Sequence, residues 1–280
     1  MTEVRRAAVL GKPIAHSLSP VIHNAGYAAA GLTGWSYTAI ECAEAELPGL
    51  VAGLGPEWAG LSLTMPLKEV ALAVADEVAP VAVAAGAANT LVRRPDGSWY
   101  ADNTDVPGMV DVLTEAGVGT GGTVTVLGAG GTARAACAAA ARLGAESVTV
   151  VARRAAAIDE LRPVAATLGV KLAGADWADA PAHTGADVVI STVPKGVADP
   201  LAGSVDWQPG TVFFDALYDP WPTPLAAAAQ AAGVRVVSGL DLLLAQALGQ
   251  FTHFTGVPAP REAMAAALAE ARTGRTSAGR

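Results

Sequence analysis

The chain has 280 residues, 52% hydrophobic and 16% charged, enough for about two domains with buried cores and too apolar for a disordered protein. A net charge of −8 with no basic stripe excludes nucleic acid as a partner, and no apolar run reaches the roughly 18 residues that cross a bilayer. Two cysteines and four scattered histidines rule out a disulfide framework and predict no metal centre.

Residues 7–10 are an apolar run, too short for the core of a secretion signal and soon broken by Gly11 and Pro13. A cytoplasmic protein is expected. Ser19-Pro20 opens a helix, with Ser19 as N-cap and Pro20 in the first turn. Residues 35–41 predict a strand, 44–54 a helix and 60–64 a strand, and Pro66 opens a further helix toward residue 75. Residues 89–93 and 99–101 predict a hairpin around Pro95-Asp96-Gly97. A helix follows over 106–116, with Asp105 in position to cap it.

The glycine-rich stretch 117–122 reads as a boundary. Beyond it the alternation is regular: strand 123–127, helix 132–143, strand 147–151, strands 187–191 and 212–216, helix 224–232 and strand 234–237. Short links between alternating strands and helices imply parallel strands with right-handed crossovers. Residues 240–272 are helical with no strand of their own and are expected to pack back on the first domain. The small polar tail, 273–280, is expected to fray.

Strand 123–127 runs directly into Gly128-Ala129-Gly130-Gly131-Thr132-Ala133, a G-x-G-x-x-A loop that opens a helix. Gly128 permits the tight turn, Gly130 lets backbone approach a pyrophosphate, and the small Ala133 allows close helix–strand packing. The helix N-terminus offers free N–H groups to phosphate. A site for NAD would carry a carboxylate at the end of the next strand; this chain has Arg153-Arg154, which suits the 2′-phosphate of NADP. Arg134, in the first helical turn, is a second candidate for that phosphate, or else a surface residue.

Four polar clusters end apolar segments in the first half: Gly11-Lys12-Pro13-Ile14-Ala15-His16-Ser17-Leu18-Ser19-Pro20, Ser62-Leu63-Thr64-Met65-Pro66-Leu67-Lys68-Glu69, Gly86-Ala87-Ala88-Asn89-Thr90 and Asp102-Asn103-Thr104-Asp105. Asp215-Ala216-Leu217-Tyr218 and Gly239-Leu240-Asp241-Leu242-Leu243-Leu244-Ala245-Gln246 follow in order. Each alone reads as a cap, a turn or a solvated helix residue. Together, over residues 9–256, they resemble the shikimate dehydrogenase family.

That resemblance implies an α/β protein of two domains: an N-terminal α/β substrate domain completed by C-terminal helices, residues 1–105 and 240–280, and a Rossmann NADP-binding domain, residues 106–239. The active site would lie in the cleft between them. The implied activity is the reversible NADPH-dependent reduction of 3-dehydroshikimate to shikimate, in aromatic amino acid and chorismate biosynthesis, by a monomer or homodimer. Ser17 and Ser19 would hold the substrate carboxylate. Ser62, Thr64, Asn89, Tyr218 and Gln246 would complete the substrate site, and Gly239 would approach the nicotinamide through its backbone. Lys68 and Asp105 would form the catalytic pair. A free lysine amine titrates near 10.4, too high for an efficient base; the expected first-turn position of Lys68 favours the neutral amine, while Asp105 opposes this and orients it. Either of the pair remains open as the proton carrier.

This chain departs from the family in having Ser62 where Asn is frequent, Ala152-Arg153-Arg154 for Asn-Arg-Thr, and Leu242 for Met. His16 and His23 read as structural. A quinate or aminoshikimate-type enzyme and a silent ligand sensor on the same scaffold are the alternatives.

Overall fold

The computed structural model describes residues 4–278. The chain divides into two compact units, Met1–Thr104 with Leu243–Arg280, and Asp105–Leu242.

The first unit is built on a mixed sheet of β1 (Arg5–Gly11), β2 (Trp35–Glu41), β3 (Trp58–Leu63), β4 (Glu77–Val78), β5 (Thr90–Arg93) and β6 (Trp99–Asp102), in the order β2-β1-β3-β5-β6-β4. β1 is buried from Ala7 to Gly11 and pairs in parallel with β2 and β3, as expected of a central strand covered on both faces. β5 runs antiparallel to β3 and β6. The β5–β6 turn is the expected one: Asp96 Oδ1 accepts from the Ser98 N–H at 2.9 Å, and Gly97 takes the positive φ of +88° that a side chain disfavours.

The helices Gly239–Thr255 and Arg261–Ala278 return the chain to this unit. A Cβ on Gly26, in the helix Ser19–Ala29, would lie 2.9 Å from Phe251 and 3.0 Å from Met264, so that glycine lets three helices close together. Gly60 in β3 likewise leaves room for Phe254. Gln246, Gln250 and Phe254 recur every four residues and so share one helix face.

The second unit is a wholly parallel sheet: β7 (Thr123–Leu127), β8 (Ser147–Ala152), β9 (Lys171–Asp176), β10 (Val188–Ser191), β11 (Val212–Asp215) and β12 (Arg235–Ser238), in the order β12-β11-β10-β7-β8-β9. From β7 the order runs one way through β8 and the other through β10. That is the Rossmann switch point, where α/β sheets open a crevice for ligand. The helix Gly131–Arg142 packs there through a run of alanines, with Ala133 and Ala135–Ala140 buried.

Several elements differ from expectation. Residues 44–54 split into a short 3-10 turn, Glu44–Glu46, and a helix, Leu47–Ala52, because Pro48 can stand only in a first turn. Pro66 opens a run of turns, and helix forms only over Ala71–Val74. The Lys68 carbonyl is turned outward to accept from the Ala88 N–H at 2.7 Å, which takes it out of any helical ladder. Ser19 is the first helical residue and not its cap; the hydroxyl of Ser17 accepts from the Ser19 N–H at 3.3 Å instead. Asp105 is likewise the first residue of its helix, Asp105–Glu115. β4, β9 and the helix Pro80–Ala85 carried no clear periodicity. The stretch 117–122 lies inside the second unit. The tail continues the last helix to Ala278, and residues 279–280 lie outside the described residues.

Candidate active site

In the first unit, backbone hydrogen bonds bring the four polar clusters side by side. Thr64 N–H donates to Leu10 C=O at 2.9 Å and Lys12 N–H to Met65 C=O at 3.0 Å. A Cβ on Gly11 would collide with Thr64, so this glycine allows the two loops to meet. Lys68 is tied to Ala88 as described, and Asn103 Nδ2 donates to the Ala87 carbonyl at 2.8 Å. Asn89 N–H donates to Asp102 C=O at 3.1 Å, and Leu63 N–H to Asn89 C=O at 2.7 Å. Ser17, Thr64 and Lys68 are half-buried; Ser19, Ser62, Asn89 and Gln246 are buried.

Asn89 is the centre of this cluster. Its Oδ1 accepts from Thr104 N–H at 2.8 Å, from Thr90 Oγ1 at 2.8 Å and from Thr104 Oγ1 at 3.1 Å. Its Nδ2 donates to Gln246 Oε1 at 3.4 Å, while Gln246 Nε2 donates to the Leu243 carbonyl at 2.9 Å. His253 Nε2 lies 3.1 Å from Asp102 Oδ2, just upstream of the same segment.

Sequence reasoning missed Gln250 and Tyr37. Gln250 Nε2 donates to Asn89 C=O and to Thr90 Oγ1, both at 3.1 Å. Ser62 Oγ donates to Gln250 Oε1 at 2.7 Å, and Tyr37 Oη donates to Ser62 Oγ at 2.6 Å. The available signal was the four-residue spacing of Gln250 from Gln246. His23 stacks on Tyr37 with ring centroids 4.1 Å apart, in keeping with a structural role. Burial pushes its imidazole down to about 3, opposed by the nearby Gln250 amide, and burial raises the Tyr37 hydroxyl.

In the second unit, Gly128 stands at φ +107°, and a Cβ there would lie 2.6 Å from Thr192 Oγ1. Its N–H donates to Val151 C=O at 2.8 Å, which locks the loop to the end of β8. Gly130 is exposed, with open space where its Cβ would stand, and no side chain caps the helix that begins at Gly131. Ala129 and Thr132 are half-buried beside it, and Ala133 is buried against the sheet. The N-terminal N–H groups therefore face an open approach, which fits a pyrophosphate. Arg153 and Arg154 are both exposed just past β8, where a 2′-phosphate belongs. Arg134 is not a surface residue: it is buried, and its Nη2 lies 4.0 Å from Glu160 Oε2. These residues fit NADP.

The loop carrying Tyr218, itself half-buried, is braced from both ends. Asp215 accepts from Leu217 N–H at 3.1 Å and from Thr223 Oγ1 at 2.7 Å, and burial raises its carboxyl. Gly239 N–H donates to Leu217 C=O at 3.2 Å. A Cβ on Gly239 would overlap the Ala216 carbonyl oxygen, so only glycine fits this approach. Ser238 N–H and Oγ both donate to Asp241 Oδ2 at 2.8 Å, closing the start of the helix Gly239–Thr255.

Residues 9–91 match the profile of the shikimate dehydrogenase substrate binding domain, and residues 239–269 that of the shikimate 5'-dehydrogenase C-terminal domain. A shikimate dehydrogenase (NADP(+)) of Methylobacterium radiotolerans is 40% identical over 267 residues, 91% of this chain and 93% of the relative. The crystal structure of Mycobacterium tuberculosis shikimate dehydrogenase superposes with a TM-score of 0.83 at 49% identity, covering 95% of this chain and 99% of that one. The Thermus thermophilus shikimate 5-dehydrogenase, solved with NADP(H) and shikimate, gives a TM-score of 0.82 at 32% identity, covering 96% and 100%. With the first profile over three of the four polar clusters, the second over the segment that starts at Gly239, and a relative alike over nearly its whole length, the chain belongs to the shikimate dehydrogenase family.

Proposed function

We propose that the chain is an NADP-dependent shikimate dehydrogenase, reducing 3-dehydroshikimate to shikimate reversibly. The observation that carries this reading is the coexistence of the Asn89–Gln246 amide pair with a glycine loop followed by two exposed arginines. The first unit is the substrate-binding catalytic part and the second holds the cofactor. The same reading makes the protein a cytoplasmic monomer or homodimer.

When bound, NADP supplies the hydride acceptor for the alcohol, or as NADPH the donor for the ketone. Arg153, with Arg154 beside it, binds the 2′-phosphate; the N–H groups at Gly130, Gly131 and Thr132 bind the pyrophosphate. Gly239 brings backbone close to the nicotinamide. Arg134 acts from behind, steadying the helix through Glu160.

Ser17 and Ser19 donate to the substrate carboxylate. Thr64, Asn89, Tyr218 and Gln246 bind ring oxygens. Asn89 offers N–H groups only, because the Thr104 N–H, which can only donate, holds its oxygen inward. Lys68 moves the proton at the reacting oxygen, giving it up as the ketone is reduced and taking it back as the alcohol is oxidised. Asp105 positions that amine.

The test is initial rate with shikimate and quinate, each with NADP⁺ and NAD⁺. Activity confined to shikimate with NADP⁺, falling on the order of 10²–10⁴-fold in Lys68→Ala, is expected. A quinate preference would overturn the substrate, an NAD⁺ preference the cofactor, and no turnover with any pair the enzyme reading itself.

A further inference from the structure

Ser62 stands in the second polar cluster, yet its hydroxyl faces into the protein, and hydrogen-bond logic fixes donor and acceptor along its bonds to Gln250 and Tyr37. The Asn89 backbone carbonyl can only accept, so the Gln250 group facing it at 3.1 Å is the amide nitrogen. The Gln250 oxygen therefore faces Ser62, and the single Ser62 proton goes to it at 2.7 Å. With that proton spent, the Tyr37 hydroxyl at 2.6 Å must donate to Ser62. At the other end, Thr90 Oγ1 accepts from Gln250 Nε2 and gives its own proton to Asn89 Oδ1 at 2.8 Å.

One amide thus commits the protons of Ser62, Tyr37 and Thr90. It also pins the helix one turn past Gln246 to the strand end that carries Asn89. Ser62, Asn89, Thr90 and Gln250 are all buried, so the network is shielded from competing water.

We propose that Gln250 is a positioning residue for substrate recognition: it aligns the Asn89–Gln246 pair, and Ser62 serves the site through Gln250 and not by touching the ligand. This rests on the functional reading above. Affinity for the hydroxylated ring then depends on an amide behind the site, while hydride and proton transfer do not, because the bond from Thr104 N–H to Asn89 Oδ1 that sets Asp105 does not involve Gln250.

The experiment is steady-state kinetics on Gln250→Met, Ser62→Ala and the double variant, after wild-type turnover of shikimate has been established. Gln250→Met removes both ends of the amide and keeps the volume. A rise of about tenfold or more in the shikimate KM is expected, with kcat and the NADP⁺ KM within about threefold. The double variant should be no worse than Gln250→Met alone, because the serine acts through the amide. Thr90→Val should raise the same KM and Thr90→Ser restore it, which covers the case that Gln250→Met does not fold. An unchanged KM in these variants, Ser62 and Gln250 losses that add, or a parallel fall in kcat would overturn the proposal. Wild-type protein that leaves shikimate untouched would instead sink the functional reading.

Discussion

The backbone N–H of Thr104 donates to Asn89 Oδ1 across 2.8 Å, so the residue before Asp105 is held by the side chain that immediately precedes β5. Asn89 therefore sets where Asp105 begins its helix as well as offering its own N–H groups. Asn89→Ala strands a buried N–H. We expect a stability loss of about 1–3 kcal/mol, read as a lower urea midpoint. In kinetics we expect a higher shikimate KM together with a lower kcat, since both the ligand contact and the carboxylate are disturbed. A pure KM effect would mean that Thr104 is held in place by other contacts.

Arg153→Ala should raise the KM for NADP⁺ by roughly 10–100-fold, the worth of hydrogen bonds to a charged phosphate. The rate with NAD⁺, which lacks that phosphate, should stay the same. Equal losses with both cofactors would assign Arg153 to the fold.

Gly239→Ala drives a methyl group into the Ala216 carbonyl, and backbone cannot yield as a flexible side chain does. The Tyr218 loop must shift. A destabilisation of about 1–3 kcal/mol by thermal melting is expected, with an increased cofactor KM. A variant with wild-type melting and kinetics would show that the loop has slack.

His23 gives the protein a pH dependence whose sign follows from burial. Its folded pKa, about 3, lies below the ordinary value of 6.5, so the unfolded chain binds the proton more readily. The stability from this group is complete above pH 6.5 and is lost as pH falls from there toward 3. Between pH 7 and 5 the wild type should lose about 2 kcal/mol relative to His23→Phe, which keeps the stack on Tyr37 but cannot titrate. Parallel pH profiles of the urea midpoint for the two proteins would refute this.

The cofactor half was legible because its rules are local. A buried parallel strand, a glycine loop and an alanine-rich helix state their positions in consecutive residues. β9 was invisible: apart from Leu172 and Ala175 it is exposed, so no alternation marks it. The error at Lys68 came from reading Pro66 as a helix start, when pairing of the Lys68 carbonyl with Ala88, twenty residues away, decides the backbone. Gln250 was missed for a similar reason. Its partners Ser62 and Asn89 lie 188 and 161 residues away, and neighbouring letters do not reveal that a helix will be laid across β3.

The chain leaves the first unit after Thr104 and re-enters it at Leu243. On a ribosome, then, Asn89 emerges long before Gln246 and Gln250, with the whole parallel sheet made in the interval. Until the late helix arrives, the Ser62 hydroxyl proton and the Asn89 side-chain nitrogen lack the acceptors that Gln250 and Gln246 bring. Closing a flexible loop of that length costs an ordering entropy of roughly 4–5 kcal/mol beyond a constant, unless the intervening sheet folds first and shortens the effective tether. Assembly of the cofactor sheet is thereby a step toward completing the other unit, and nascent chains arrested before Leu243 should expose Ser62 and Asn89 to proteases that cannot reach them in the finished protein.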